Sequence, residues 1–177
     1  MKIFYLILFM WGSLALAQED QLLNLPMRPA AALTGTAFMK KIALLSGGQR
    51  EQAMVREILK GNIPNFLRKL TPIEMKLSAG PYRGKTLRYW TLPDYIAIGS
   101  DQDFIRVPLN LYSIEKLSEQ LDLSLPTVKM VDEIYSHAAV KLKPRPVVCK
   151  SNISSTANIV LHNQMLREQI LGSNYTP

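Results

Sequence analysis

Hydrophobic and polar positions are patterned most clearly between Pro93 and Leu142. Two short apolar runs, Tyr95-Ile96-Ala97-Ile98 and Phe104-Ile105-Arg106-Val107, flank the polar turn Gly99-Ser100-Asp101-Gln102-Asp103. The pattern predicts a β-hairpin with a loop of about five residues, closed by Pro108. Two helical patterns follow. Ser113 is read as the cap of the first, where Ile114, Leu117 and Leu121 recur at helical spacing. Thr127 caps the second, whose apolar face is assigned to Val128, Val131, Ile134, Tyr135 and Ala138. Lys141 and Lys143 follow its end, where positive charge suits the helix dipole.

Upstream, Pro26 and Pro29 break any early helix, and residues 18–35 read as a linker. Phe38, Met39, Ile42, Ala43 and Leu45 suit one helix face. After Ser46-Gly47-Gly48, Met54 pairs with Ile58 and Val55 with Leu59 at four-residue spacing, so a second helix is predicted. Gly61-Asn62 stops it, because both residues tolerate positive φ. Asn65–Leu70 reads as one further helical turn. Pro72–Leu77 alternates as a strand does, and Thr86–Leu92 is β-branched and aromatic, so a second strand pair is expected. Downstream, residues 143–157 form a loop, and Asn158–Leu171 is a last helix, capped by Ser155 or Thr156 and stopped by Gly172. Its apolar residues, Ile159, Leu161, Met165, Leu166 and Ile170, make a broad face. Strands cluster rather than alternate with helices. That predicts an α+β fold, with a small mainly antiparallel sheet and helices before and after it, in a single domain over residues 36–177.

The N-terminus changes the picture. Lys2 precedes a short apolar run, Ile3–Trp11, and Ala15-Leu16-Ala17 is a small-residue cleavage site. This is a secretory signal peptide over residues 1–17. The run is well short of the ~20 residues that span a bilayer, so no membrane span is expected after cleavage. The protein is therefore expected to be periplasmic or secreted.

Charge narrows the partners. The 177-residue chain carries 21 basic and 14 acidic residues, net +7. The basic residues are scattered, without the basic stripe and interleaved aromatics of a nucleic-acid footprint, so no nucleic-acid partner is expected. Attraction to an anionic envelope polymer fits the charge, as does ordinary solubility. Cys149 is the single cysteine, so no internal disulfide can form and the fold must stand on its core.

Candidate chemistry is sparse. His162 and His137 are the catalytic candidates, and Cys149 with either could suggest a Cys–His pair, but neither histidine lies in a metal-binding or hydrolase motif. Asp94, Asp101 and Asp103 could supply carboxylate oxygens to calcium, and Asp101 and Asp103 are the ligand-binding candidates. They lack the spaced carboxylates of a calcium loop, and Asp is a common turn residue, so no metal and no cofactor is expected. Thr127 and Lys129 complete the ligand-binding candidates. Tyr82, Tyr89, Trp90, Tyr95 and Phe104 lie along the strands, where aromatics bind sugar rings or build sheet cores. Two glycosylation sequons, Asn152-Ile153-Ser154 and Asn174-Tyr175-Thr176, matter only in a host that glycosylates.

The phrases PDYIAIGSDQDFIRVPLN and LPTVKMVDEIYSHAAVKLKPRP resemble a family of secreted, functionally uncharacterised bacterial proteins. The upstream FMKKIALLSGGQREQAMVREILKGNIPNFLRKL and the downstream HNQMLREQ fit the same family, so the resemblance covers about residues 36–170. It implies that members continue further, through a His-containing DYSHG-like phrase. This chain is then expected to be the N-terminal part of such a protein. The stretch VVCKSNISSTANIV departs from the pattern. The resemblance implies no known activity.

Two function classes follow. One is the N-terminal part of an envelope-associated hydrolase. The other is a non-catalytic envelope binding or scaffold module. A deep polar pocket around His162, Thr127, Lys129 or the acidic turn favours the first; a shallow aromatic face favours the second.

Export is directly testable. N-terminal sequencing of protein recovered from the exporting host should read from Gln18, and an intact Met1 on a cytosolic product would refute the assignment.

Overall fold

The computed structural model describes residues 20–147 and 155–173. The segment predicted to be a signal peptide, Cys149 and both predicted sequons lie outside the described residues. The order is α1 (Gly35–Lys41), α2 (Gly47–Leu59), a 3-10 turn (Asn65–Arg68), β1 (Thr71–Lys76), β2 (Thr86–Thr91), β3 (Ala97–Gly99), β4 (Phe104–Arg106), α3 (Leu111–Leu121), α4 (Val128–His137) and α5 (Thr156–Leu171). The α+β class stands. The strands, however, form two separate antiparallel pairs rather than one sheet, β1 with β2 and β3 with β4.

The β3–β4 hairpin lies at the centre of the core. Ala97, Ile98, Ile105 and Val107 are buried with Phe38, Met39, Met54, Ile58, Leu67, Leu117 and Ile159, which come from all the helical elements except α4. The hairpin has only two strands, so both of its outer edges expose unpaired backbone groups. Side chains close them. On the β4 side, Asn163 of α5 is 2 % exposed. Its Oδ1 accepts from Arg106 N (3.2 Å) and its Nδ2 donates to Phe104 O (3.1 Å), so one amide stands in for a third strand. On the β3 side, Gly99 donates its N–H to Asn62 O (3.1 Å), and Gly99 O accepts from Arg28 Nε (3.1 Å). Asn62 is itself fully buried and satisfied: Oδ1 accepts from Arg28 Nε, and Nδ2 donates to Leu33 O and Glu57 Oε2.

Helix α1 crosses the hairpin at Gly35. A Cβ there would meet Ile105 N and Ile98 O at 2.7 Å, so only glycine permits the approach. Gly61, at φ 81°, plays the same part against the N-terminal segment, because a Cβ would fall 2.0 Å from Pro26 O. The stretch read as a linker is thus laid along the domain. Leu23 is buried in the core, Leu23 N donates to Arg68 O, and the Arg68 guanidinium donates to Leu25, Pro26 and Gly61 carbonyls.

The second hairpin and α4 form a smaller lobe. Ile73 and Met75 of β1 are buried outside the main core, and α4 packs against β1. Tyr89 Oη donates to Met130 O (3.2 Å). The expected inner face of α4 needs correction. Met130, Ile134 and Ala138 are half-buried, whereas Val128, Val131 and Tyr135 are 81 %, 49 % and 61 % exposed. Residues 128, 131 and 135 share one stripe, and it points away from the hairpin. On α5, Ile159 is buried, Met165, Leu166 and Ile170 are half-buried, and Leu161 is exposed.

Helix starts follow local chemistry. Ser46 and Gln49 form a capping box on α2, Thr127 caps α4 and Ser155 caps α5. The start of α3 differs from expectation. Asn110, not Ser113, is its cap, and Ser113 N donates to Asn110 Oδ1 (2.9 Å). Ser113 falls inside the first turn, and its hydroxyl donates to Glu51 Oε2 (2.6 Å).

Truncating the edge-closing amide tests its weight. Asn163→Ala leaves a buried N–H and a buried carbonyl unpaired, and each costs about 1–3 kcal/mol. Urea unfolding should show a loss of roughly 2–4 kcal/mol at unchanged slope. A loss below ~0.5 kcal/mol would mean that the β4 edge does not need the amide.

Candidate functional site

The candidate residues named from the sequence are placed apart, and most are tied to the scaffold. In the acidic turn, Asp101 Oδ1 accepts the N–H of Asn65 (2.6 Å) and of Phe66 (3.4 Å), and Oδ2 accepts from Asn65 Nδ2 (3.0 Å). It caps the 3-10 turn. Asp103 Oδ1 accepts from Thr36 N (3.1 Å) and Thr36 Oγ1 (2.8 Å), and Asp103 O accepts from Gly35 N (2.9 Å). It holds the start of α1, where negative charge also complements the dipole. Partial burial opposes charge on Asp103. Hydrogen bonds from Thr34 and Thr36, with the nearby Arg167, outweigh it and hold the carboxyl below its ordinary value.

Thr127 accepts from Met130 N (3.3 Å) as the α4 cap, and Lys129 Nζ reaches Ser78 Oγ (3.3 Å). His137 Nδ1 lies 2.8 Å from Glu133 O and 3.1 Å from Ser136 Oγ at the exposed end of α4. His162 is exposed on α5, next to the buried Asn163. Among the described residues no three His, Cys, Asp or Glu side chains gather as metal ligands.

A concave surface lies elsewhere, between α2 and α3. It is an open groove of about 670 Å³. Val55 and Leu59 give it an apolar floor; Gln52, Arg56, Lys116 and Gln120 rim it, and Tyr112, 82 % exposed, stands at its edge. Glu51 sits at one end. Its Oε2 accepts from Ser113 Oγ (2.6 Å) and Asn110 N (3.4 Å), which ties the first turn of α2 to the start of α3. A second depression of about 270 Å³ shares Gly48, Glu51 and Asn110 with it and reaches Met54, Pro108 and Ile159. None of His137, His162, Asp101, Asp103, Thr127 or Lys129 lines either hollow.

The groove has the size of a small-molecule site and polar groups on rigid helices, so it can bind. It is poorly equipped for chemistry. No imidazole lines it, and a carboxylate alone is a weak base toward a serine hydroxyl. Sequence reasoning passed over Glu51 because its partners lie 59 and 62 residues away; the one local hint was Asn110, three residues before Ser113.

Comparison with family models, with curated proteins and with solved structures finds no match.

Two outcomes test the acidic turn. Its carboxylates are occupied by helix N–H groups, so millimolar calcium should leave the thermal midpoint unchanged; a rise of several degrees would show a site specific to the folded state. Because the folded-state pKa of Asp103 is lowered, its contribution is present above the usual aspartate value of about 3.9 and is lost as pH falls through the lower folded value. Asp103→Asn should therefore lose stability at pH 7 and show a flatter acid limb than the unsubstituted protein in pH-resolved denaturant titrations.

Proposed function

We propose that this chain is an exported, non-catalytic binding module of the bacterial envelope, periplasmic or secreted. The observation that carries this reading is the dispersal of the acid–base side chains. Asp101, Asp103 and Glu51 accept hydrogen bonds from helix starts, and the two histidines line neither hollow. The groove between α2 and α3, with its apolar floor and polar rim, is the natural seat for a ligand. The signal-peptide pattern supports export. No helix among the described residues is long and apolar enough to cross a membrane.

The rival reading, the N-terminal part of an envelope-associated hydrolase, is favoured by one observation. The Val128, Val131 and Tyr135 stripe on α4 is left open, as a surface awaiting further structure is.

One experiment separates the two. Purified protein is incubated with isolated bacterial sacculi, and both sedimentation and soluble products are followed. The binding module co-sediments saturably and releases no soluble sugar or peptide. Time-dependent release that scales with protein concentration would establish the hydrolase instead, and failure to co-sediment would remove the binding reading.

A further inference from the structure

The β3–β4 hairpin has both outer edges closed by side chains and loops, but the β1–β2 hairpin does not. The direction of its backbone groups follows from its register. Leu77 N donates to Lys85 O (2.9 Å), and Met75 lies opposite Leu87 and Ile73 opposite Tyr89. In an antiparallel pair the N–H and C=O of one residue point to the same side, and successive residues alternate. The backbone groups of Ile73, Met75 and Leu77 therefore face β2, and those of Pro72, Glu74 and Lys76 face outward. On β2, Leu87 and Tyr89 face β1, and Thr86, Arg88 and Trp90 face outward.

The two outer edges differ. On β1, Pro72 has no N–H to offer, and proline keeps an edge from pairing. The chain leading into β1 is already paired on that side, because Leu70 N donates to Gln21 O (2.8 Å) and Leu22 bridges Lys69. Helix α4 also packs against β1. The β2 edge has none of these devices. Its pairing with β1 runs residue for residue without a bulge, and it contains no proline. The outward N–H and C=O groups of Thr86, Arg88 and Trp90 make no hydrogen bond among the described residues. Beside this edge, Leu87 shares the inner face with the buried Ile73 and Met75 yet is 41 % exposed.

Side chains along the open edge complement a copy of themselves. Arg88 and Trp90 are exposed on the outer face, with the guanidinium over the indole ring at 5.5 Å. A second copy laid antiparallel about a two-fold at Tyr89 sets Arg88 of each copy opposite Trp90 of the other. Tyr89 then meets Tyr89, and Thr91 of the second copy covers Leu87. Cation–aromatic and aromatic–aromatic pairs across strands are favourable. With the two-fold at Arg88 instead, like charges would stand directly opposite, which is destabilising. Pro72 bars the far edge of each copy, so the assembly closes at two chains rather than propagating.

We propose that the β2 edge is a dimer interface. Through it two copies of this chain join their outer hairpins into one four-stranded antiparallel sheet, in the order β1-β2-β2-β1, with Arg88 of each copy on Trp90 of the other. The proposal does not depend on the α2–α3 groove or on what that groove binds.

The test is sedimentation equilibrium of the purified protein from micromolar to sub-millimolar concentration. The mass should rise from one chain to two and stop there. Arg88→Pro and Lys76→Pro are then compared, each after it is shown to unfold cooperatively. Each places proline where the N–H faces outward, so neither breaks the β1–β2 ladder. Arg88→Pro removes two hydrogen bonds between the copies, one donated by each, and should weaken dimerisation at least ~tenfold. Lys76→Pro lies on the closed edge and should stay within about twofold of the unsubstituted protein. A cross-link reads the register without requiring that either proline be tolerated. In a Cys149→Ser background, Arg88→Cys and Trp90→Cys proteins are mixed under mild oxidation, and the mixed disulfide should form faster than either variant links to itself. A monomer at every concentration, growth beyond two chains, equal weakening by the two prolines, or self-linking of Arg88→Cys ahead of the mixed disulfide would each overturn the proposal.

Discussion

A two-stranded hairpin buried in a core leaves backbone groups unpaired along each outer edge, and this fold depends on how they are satisfied. Asn163 reaches from α5 to the β4 edge, and the Asn62 backbone with Arg28 covers the β3 edge at Gly99. The Arg106 side chain joins the same arrangement, donating to Asn163 Oδ1 and to the Asp94 carboxylate. Burying that guanidinium is tolerable only because its partners are in place. The turn between the strands does the complementary task at the end of the hairpin, with Asp101 and Asp103 each holding a different helical start. A small sheet therefore organises α1, α5 and the 3-10 turn by polar contacts at its rim, with apolar packing filling the space between.

What could be read from the sequence was whatever is encoded locally. The capping Ser46 and Thr127, the Gly61-Asn62 stop and the turn at Gly99–Asp103 each depend on neighbours within a few residues, and each stands where its chemistry places it. The misreadings have the opposite character. Ser113 reads as a cap, but Asn110 three residues earlier holds that place, and Ser113 donates instead to Glu51, far away in sequence. The stripe on α4 was assigned inward because spacing gives a face but not its direction. Attention fell on His162, yet the neighbouring Asn163 carries the contact. A signal did exist: Asn163 falls at the position of α5 that continues from Ile159 by one turn, and a polar residue on an apolar face asks for a partner.

Function was less legible for a related reason. Carboxylates and imidazoles mark chemistry only when the fold assembles them, and here it uses the carboxylates for capping. The concave surface arises instead from two helices whose contact no short-range pattern announces. The smaller lobe is packed on its own two buried strand residues, Ile73 and Met75, outside the buried cluster of the main core.

The Asp103–Thr36 contact spans 67 positions of chain. Helix α1 has seven residues, too few to persist alone, since helices that short are marginal in water. Its first turn is held in place by a carboxylate and a carbonyl that come from the turn of the β3–β4 hairpin. A chain that emerges from its N-terminus thus has no reason to fold α1 until Asp103 has followed it out. Seating α1 therefore carries the closure entropy of a loop of 67 positions rather than that of one helical turn.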